Sequence, residues 1–285
     1  MTRDSPPLSS PLPVAPRPPP QSATAWLHQA WAHYDLGELD QAIEAASRSH
    51  DLSSQDDERL EACAALCWLH LENSDTQRAE HAVRTALPLA ARHAHLQWHA
   101  GILFLRKKDP ALAAHHLACA LELNPALDEA ASALAWALHD LGRLAEASIW
   151  ARRALSQRVT PQRQAQLGWL LLQQGHAQDA VPLLQAALPA ATHDVSTYLH
   201  LGRALAETGA TSAALDTLDQ GLARFPSHPD LLLAAGWLHH AHHEPVRALD
   251  LAQQVVCINP LSGSAWHLQG AALHALQRVG AARGP

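Results

Sequence analysis

The feature that most constrains the fold is a repeat of about 34 residues. Four segments share a glycine followed five residues later by an alanine; they are DLGELDQAIEAA (35–46), DLGRLAEASIWA (140–151), QQGHAQDAVPLL (173–184) and ETGATSAALDTL (207–218). A glycine that ends one helix and a small residue inside the next are typical of a helix–turn–helix junction. Extending this register predicts units that start at Ala23, Leu60, Ala94, Asp128, Pro161, Val195, Pro229 and Gly263.

These units resemble the tetratricopeptide repeat (TPR) family, whose skeleton is W-x2-L-G-x2-Y…A-x3-F…P. The resemblance covers residues 23–285. Its fullest match is the sixth unit, with Tyr198, Leu201, Gly202, Leu205, Gly209, Ala214, Leu218 and Pro226 at signature places. The resemblance implies an all-α, right-handed superhelical solenoid of antiparallel helix pairs. Seven TPR units would occupy residues 23–262, and residues 263–285 would form a partial eighth unit that acts as a C-terminal capping helix. A truncated longer protein is an alternative explanation of that last unit.

Composition excludes several other classes. Hydrophobic residues make up 48% of the chain, which argues against general disorder, and no apolar stretch is long enough for a membrane helix. The net charge of -7 removes the electrostatic basis for nucleic-acid binding. We therefore expect neither a nucleic acid nor a membrane as a partner.

The N-terminal segment 1–22 is rich in proline and serine and has no apolar core of the kind that a secretory signal needs. We expect it to be a disordered tail, and we hypothesise that it occupies the binding groove when no partner is present. The four cysteines are too few and too scattered for a disulfide scaffold. Together these observations favour a cytoplasmic location, and arginine usage weakly indicates a bacterial source.

Tryptophan is concentrated at one place of the repeat. Counting from the first residue of each unit, position 9 is Trp31, Trp68, Trp136, Trp169 and Trp237 in the first, second, fourth, fifth and seventh units. This position lies about 150° from the centre of the core face of the first helix. In TPR superhelices that side lines the concave groove. The third unit has Trp98 four residues earlier, and the sixth has Arg203 at position 9.

Two interpretations of these tryptophans stay open. The rings could form an aromatic ladder along the groove, where half-exposed indoles would make an unusually large apolar patch. Alternatively, each ring could lie flat against the next first helix and fill a gap between units. Solvent accessibility near zero for all five rings would exclude the ladder.

Acidic residues flank the tryptophans at positions 2 and 13. Those that we expect to select a positively charged partner are Asp35, Glu61, Glu72, Glu129 and Asp140. Lys or Arg side chains over indole faces would add about 0.5–2 kcal/mol each. An ordinary solvated face is the alternative. TPR proteins that bind chaperones grip a carboxylate with Lys, Asn and Arg at such places, so that role is not expected here.

Other candidate chemistry is weak. Cys63, Cys67 and His70 have a spacing that could bind zinc, but they occupy packing positions, so we expect a core. His95 and His99 lack a third ligand, and the histidines within 239–243 are expected to lie on the surface. No catalytic motif is present, and we expect no enzyme activity, no metal and no cofactor.

The sequence thus predicts a non-catalytic scaffold or adaptor that binds an extended or helical protein segment of basic or aromatic character. One alternative is the substrate-recruiting arm of a bacterial glycosyltransferase or methyltransferase system. Another is a glycan-binding module of exopolysaccharide machinery, since aromatic ladders also stack on sugars.

Overall fold

The computed structural model describes residues 21–86, 92–191 and 194–282, with side chains as far as residue 277. The predicted tail falls almost wholly outside these residues. The described ranges are all-α apart from short 3₁₀ turns, which confirms the predicted fold class. The helices are α1 (Ala23–Asp35), α2 (Leu39–Leu52), α3 (Asp56–Glu72), α4 (Thr76–Ala86), α5 (Ala94–Arg106), α6 (Pro110–Leu123), α7 (Asp128–Asp140), α8 (Leu144–Gln157), α9 (Pro161–Gln173), α10 (Ala177–Ala187), α11 (Val195–Glu207), α12 (Thr211–Arg224), α13 (Pro229–Ala241), α14 (Pro245–Ile258) and α15 (Gly263–Ala282). None of them is long and apolar enough to cross a bilayer.

The helices pack in consecutive pairs, as expected for seven repeats and a closing helix. Two compact units are present, one ending at His99 and the other beginning at Ala100. In the first unit α1 packs on α2 and α3 on α4; in the second unit the pairs run from α7 with α8 to α13 with α14. Odd-numbered helices also contact one another, as α9 does with α11 and α11 with α13.

Glycine makes the tight turn between the paired helices. Gly37, Gly142, Gly175 and Gly209 have φ between 75° and 82°, a left-handed conformation that glycine adopts without a steric penalty. These are the glycines of the four sequence segments that revealed the repeat. Ser74, Lys108 and His243 take the same conformation in three other turns.

A second glycine brings the two helices of a pair close together. A Cβ added at Gly101 would lie 2.4 Å from Leu117 Cγ, and one at Gly168 would lie 2.7 Å from Leu184 Cγ. At Gly202 the distance to Leu218 Cδ2 would be 2.8 Å. In each case a leucine of the second helix fills the space that the glycine leaves on the first helix.

The first helix of the second repeat is longer than the predicted unit at its N-terminal end. Helix α3 begins at Asp56, before the predicted start at Leu60, and it opens with three acidic residues. Negative charges in the first turn favour helix extension because they interact with the partial positive charge at the N-terminus. The exact limits of the repeat units remain a prediction.

Candidate functional site

The five position-9 tryptophans lie on the first helices of their pairs, on α1, α3, α7, α9 and α13. Trp136 has 41% of its surface exposed, and Trp31, Trp68, Trp169 and Trp237 are partly buried. No ring of the five is fully buried, so the observation that would have excluded an aromatic ladder is not met. The rings also touch neighbouring helices, so the two interpretations of the sequence are not exclusive.

Four rings form a continuous contact chain across α7, α9 and α11. The ring centroids of Trp136 and Trp169 are 5.2 Å apart, and those of His139 and Trp169 are 4.3 Å apart. His200 continues the chain at 5.9 Å from Trp169. We call Trp136, His139, Trp169 and His200 the aromatic row. It presents partly exposed rings from three successive first helices in the second compact unit.

The first compact unit has its own aromatic cluster. Trp68 and Trp98 stack with centroids 5.8 Å apart and planes inclined by 28°. His99 lies 4.6 Å from Trp98 and 5.5 Å from Trp68. Trp98, which the sequence placed near the space of a position-9 ring, therefore lies directly against one. Its indole Nε1 is buried without a hydrogen-bond partner.

Two tryptophans lie apart from these groups. Trp31 makes an edge contact with Tyr34, with centroids 6.0 Å apart. Trp237 contacts His240 and His267 at 5.9 and 5.1 Å and packs against the buried residues Ala248 and Leu268. Within the described residues, Trp237 is therefore involved mainly in closing the core beneath α15.

Buried polar side chains join successive first helices beside the rings. Gln166 Nε2 donates to the carbonyl oxygen of Ser132 at 2.8 Å, and the Ser132 hydroxyl donates to Gln166 Oε1 at 2.7 Å. In the first unit, His99 Nδ1 lies 2.8 Å from the carbonyl oxygen of Ala64. Sequence reasoning missed these links. Their signal was a polar residue at position 6 of the repeat, directly between two apolar residues of the first helix.

Burial favours the neutral form of two imidazoles beside these rings, those of His99 and His200. It lowers the pKa of His99 to about 4, against the weaker opposing effect of its hydrogen bond to Ala64. Burial also lowers the pKa of His200. A neutral imidazole stacks on an indole without the desolvation penalty of a charge, so these two contacts are apolar at neutral pH.

At least three of the five predicted acidic residues, Glu61, Glu129 and Asp140, have partners within the described residues. Glu61 lies 3.1 Å from His93 Nε2, and the hydrogen bond with His93 lowers the pKa of Glu61. Glu129 pairs with Arg158, which follows α8. The prediction that all five carboxylates face a partner therefore overlooked histidine and arginine supplied by nearby segments.

An ion pair between Asp128 and the buried Arg163 reinforces the same corner. Arg163 Nη1 lies 2.6 Å from Asp128 Oδ2 and also donates to the carbonyl oxygens of Ala154 and Arg158. These contacts fasten the start of α9 to the start of α7 and the end of α8. Glu129 and Arg158 thus belong to a structural network.

The remaining predicted side chains lie at the C-terminal ends of first helices. Asp140 is exposed and its Oδ1 lies 2.9 Å from His139 Nδ1, within the aromatic row. Arg203 is exposed and its Nε donates to Glu207 at 2.8 Å. Asp35 and Glu72 are exposed at the ends of α1 and α3. The three predicted carboxylates at position 13, Asp35, Glu72 and Asp140, are therefore all exposed.

The histidines and cysteines considered as metal ligands have structural places. Cys63, Cys67 and His70 are buried in α3, as expected for core residues. His239 was expected on the surface but is buried, with Nδ1 2.8 Å from Glu244 Oε2 across the turn. The expectation failed because position 11 faces the paired helix. Among the described residues, no three potential ligands are arranged to hold a metal ion.

Comparison with known families identifies the repeat. Two tetratricopeptide repeat models match, one at residues 14–57, 65–125 and 100–162 and the other at residues 171–238. No functionally curated protein matches the sequence.

Solved structures show the same fold at low sequence identity. YrrB, a TPR protein described as having an unusual peptide-binding site, is 21% identical with a TM-score of 0.57 over 66% of this chain and 97% of YrrB. PilF from Pseudomonas aeruginosa is 20% identical with a TM-score of 0.64 over 75% of this chain and 98% of PilF. A TPR protein from Parabacteroides merdae is 14% identical with a TM-score of 0.58 over 89% of this chain and all of the other.

The matched architecture consists of TPR units, which serve as protein–protein interaction scaffolds and are typically non-catalytic. Because TPR models match most of the sequence and the helices pack in TPR pairs, this chain belongs to the tetratricopeptide repeat family.

Proposed function

We propose that this protein is a non-catalytic scaffold or adaptor that binds an extended or helical segment of a partner protein against the aromatic row. The observation that carries the proposal is the row itself, in which Trp136 is 41% exposed and stacks on the partly exposed Trp169. Large, rigid rings held in contact offer a ligand much apolar area at a low entropic cost. The peptide-binding description of YrrB supports a ligand of this class.

The surroundings of the row favour a basic or aromatic ligand. The carboxylate of Asp140 is exposed next to His139, although it lies within hydrogen-bond distance of that ring. An arginine over an indole face gains about 0.5–2 kcal/mol, and a nearby carboxylate adds to this attraction. Glu129, in the same compact unit, contributes less than the sequence suggested because it pairs with Arg158.

The proposed work needs no cofactor, and a reducing cytoplasm remains our proposed compartment. All four cysteines are free thiols, two of them buried in α3. Buried thiols packed as apolar side chains are common in proteins that stay reduced.

The test compares two designed peptides and three proteins. One 15-residue peptide contains spaced Arg, Trp and Pro residues, and its sibling carries Glu in place of each Arg. We expect the basic peptide to bind the natural protein more tightly in fluorescence anisotropy. The Trp136→Ala/Trp169→Ala variant should bind the basic peptide with an affinity lower by about tenfold or more, since both rings are contact residues.

Trp150→Ala is the matched control. Trp150 lies on α8 with Arg153 over its ring at 4.9 Å, so its loss removes an indole outside the row. Its affinity for the basic peptide should equal that of the natural protein. Equal affinity of all three proteins for both peptides would refute the proposal. Binding of an oligosaccharide that the double variant loses would instead favour the glycan-binding alternative.

A further inference from the structure

A cavity of about 400 Å³ lies between α2, α3 and α4 in the first compact unit. Leu66 and Ala82 form apolar parts of its wall. Each of the three helices also contributes an imidazole; these are His50, His70 and His81. Sites that bind small molecules have volumes of about 300–1,000 Å³ and combine apolar walls with a few polar groups. This cavity therefore has the size and the lining of a small-molecule site.

His70 brings an unused hydrogen-bonding group to the wall of this cavity. Its side chain lines the cavity, only 8% of the residue is exposed, and Nδ1 is buried without a partner among the described residues. Burial lowers the pKa of His70, so its imidazole is neutral at neutral pH and has one donor and one acceptor nitrogen. Buried polar groups without a partner are rare in folded proteins. His70 therefore has a hydrogen-bonding capacity that a ligand of the cavity can use.

Two other repeats show which group completes a histidine at this place. His33, His70 and His239 all occupy position 11, and in each turn the residue five positions later donates its backbone N–H to the histidine carbonyl oxygen at 2.8–2.9 Å. In the first unit that residue is a glutamate, and Glu38 Oε2 lies 2.6 Å from His33 Nδ1. In the seventh unit Glu244 Oε2 lies 2.8 Å from His239 Nδ1. A carboxylate is thus the partner of this imidazole in both turns.

The second unit has an aspartate in place of that glutamate. Asp75 is one methylene shorter, and its carboxylate is engaged at the start of α4, where Oδ1 accepts from the backbone N–H of Arg78 at 3.0 Å. Its Oδ2 lies 3.4 Å from Arg78 Nε. Nδ1 of His70 makes no hydrogen bond with it. The internal carboxylate that completes the other two histidines is therefore missing at His70.

Positive charge beside the cavity suits an anionic ligand. Burial is the largest cause of the lowered pKa of His70 and the charge of Arg78 is a smaller one, which places this guanidinium near the imidazole. Arg78 also lines the cavity, whereas the carboxylate of Asp51 at its rim is largely exposed to solvent. A similar recess against α7 has Leu138 and Glu146 at the places of His70 and Arg78. Only the cavity in the first compact unit thus combines an imidazole and a guanidinium at these two places.

Metal binding is the other chemistry that imidazoles and a nearby thiol could support. Cys63 lines the same cavity, but burial raises the pKa of its thiol, and metals bind the thiolate. Within residues 21–86, moreover, no three potential ligands are arranged to hold a metal ion. The imidazoles surround a space that fits an organic molecule better than an ion.

We propose that the cavity between α2, α3 and α4 binds a small carboxylic acid through the imidazole of His70 and the guanidinium of Arg78. The apolar body of the ligand contacts Leu66 and Ala82. The ligand carboxylate takes the role that a glutamate has beside the equivalent histidines of two other turns. This site is separate from the aromatic row, which lies in the second compact unit.

The test uses the full chain and two small molecules of nearly equal shape. 3-Phenylpropionate has a carboxylate and an apolar body, and 3-phenylpropionamide carries a neutral amide in place of the carboxylate. Their affinities are measured at pH 7 by ligand-detected NMR titration. We expect saturable binding of the acid and an affinity lower by about tenfold for the amide, because hydrogen bonds to a charged group are the stronger ones.

His70→Leu removes the proposed contact and retains the repeat. Leucine already occupies position 11 in the fourth, fifth and sixth units, as Leu138, Leu171 and Leu205. The variant should bind the acid with an affinity lower by about tenfold or more. His33→Leu is the matched control, since it removes a position-11 histidine that lies outside the cavity and already has a carboxylate partner. Its affinity for the acid should equal that of the natural protein.

Asp75→Glu supplies the internal carboxylate that the second unit lacks. This fold accommodates glutamate at that place, because Glu38 and Glu244 directly precede α2 and α14. The new carboxylate would hold the proton on Nδ1 of His70, which leaves Nε2 as an acceptor that cannot donate to the ligand. The affinity for the acid should fall by about tenfold, while circular dichroism should show an unchanged helix content.

Three results would overturn the proposal. Absence of saturable binding to the natural protein, or equal affinities for the acid and the amide, would remove the carboxylate site. Binding that both His70→Leu and Asp75→Glu leave unchanged would show that the carboxylate does not contact His70. The Trp136→Ala/Trp169→Ala variant should bind 3-phenylpropionate as the natural protein does; loss of binding in that variant would assign the acid to the aromatic row.

Discussion

Gln166 of α9 and Ser132 of α7 make two hydrogen bonds to each other. The amide of Gln166 donates to the Ser132 carbonyl oxygen at 2.8 Å and accepts from the Ser132 hydroxyl at 2.7 Å. Gln166 is buried. Only a side chain with one donor and one acceptor of this shape completes both bonds, so the pair fixes how the two first helices face each other.

Replacing the Gln166 amide should therefore destabilise the protein in a pH-dependent way. Gln166→Leu should lower the free energy of unfolding by about 1–3 kcal/mol, since it leaves the Ser132 hydroxyl without its acceptor. Relative to the natural protein at the same pH, Gln166→Glu should be more destabilising at pH 8 than at pH 4, because an ionised carboxylate cannot donate to the carbonyl oxygen and its charge would be buried. Urea denaturation at the two pH values measures both effects. A Gln166→Glu variant as stable as the natural protein at pH 8 would contradict the double link.

His99 should make the protein less stable in mild acid. Its pKa is about 4 in the folded state because burial disfavours the charged ring, whereas an unfolded histidine titrates near 6.5. The unfolded chain therefore binds this proton first as the pH falls. The contribution of His99 is intact above pH 6.5 and declines between pH 6.5 and 4, by about 2 kcal/mol at pH 5.

His99→Gln isolates that contribution. Glutamine can donate to the Ala64 carbonyl oxygen as Gln166 does to Ser132, but it does not titrate. The free energy of unfolding of this variant, measured by denaturation from pH 7.5 to 5, should fall less steeply than that of the natural protein. The remaining slope should reflect the other buried histidines, among them His70 and His116, whose pKa values burial also lowers. Identical slopes for the two proteins would show that His99 is not the residue responsible.

The two classes of helix glycine should respond oppositely to alanine. A Cβ at Gly101 would lie 2.4 Å from Leu117 Cγ, so Gly101→Ala should lower the free energy of unfolding by about 1–3 kcal/mol through overpacking. Gly270→Ala meets nothing within 4 Å and should raise it by about 0.5–1 kcal/mol through helix propensity. Thermal unfolding monitored by circular dichroism compares the pair directly. Equal destabilisation by both variants would mean that Gly270 is already covered.

The rings of the aromatic row should stabilise the fold less than core tryptophans do. Trp169 is partly buried among three other rings, and we expect Trp169→Ala to lower the free energy of unfolding by about 2 kcal/mol, below the 3–5 kcal/mol typical of a core site. Trp136→Ala should cost about 1 kcal/mol, since Trp136 is 41% exposed. The double variant should reveal a coupling of about 0.5–1.5 kcal/mol between the rings. Losses above 4 kcal/mol for each single variant would make these rings core residues and remove the proposed binding surface.

Much of the fold could be predicted from the sequence because the repeat period and its glycines indicate where the helices pair and turn. The glycines at 37, 142, 175 and 209 marked four turns, and the repeat period indicated paired helices. The sequence left open whether the rings at position 9 are packed or exposed, because helical periodicity fixes only the direction in which a side chain leaves the helix; in the structure these rings are partly exposed. The start of α3 at Asp56 was missed because the acidic first turn lies ahead of the periodic pattern.

The side-chain partners at the site could not be predicted in the same way. Periodicity gives the direction of a side chain but not which side chains of other segments contact it. Arg158, for example, pairs with Glu129 from a segment that follows α8. His239 was expected on the surface but is buried, because position 11 faces the paired helix, and its contact with Glu244 across the turn was not foreseen. The sequence did not indicate whether polar residues at position 6 form hydrogen bonds with a ligand or, as Gln166 does, with a neighbouring helix.

The two hydrogen bonds between Gln166 and Ser132 have a consequence for the kinetics of ligand binding. Trp169 lies one turn after Gln166, and Trp136 lies one turn after Ser132, so the amide link also sets the separation of the two indoles. A ligand that spans both rings would bind a preorganised surface. Little conformational entropy of the protein would then be lost on binding. Removing the hydrogen bonds of Gln166 should then shorten the lifetime of such a complex, although the amide itself is buried and does not contact the ligand.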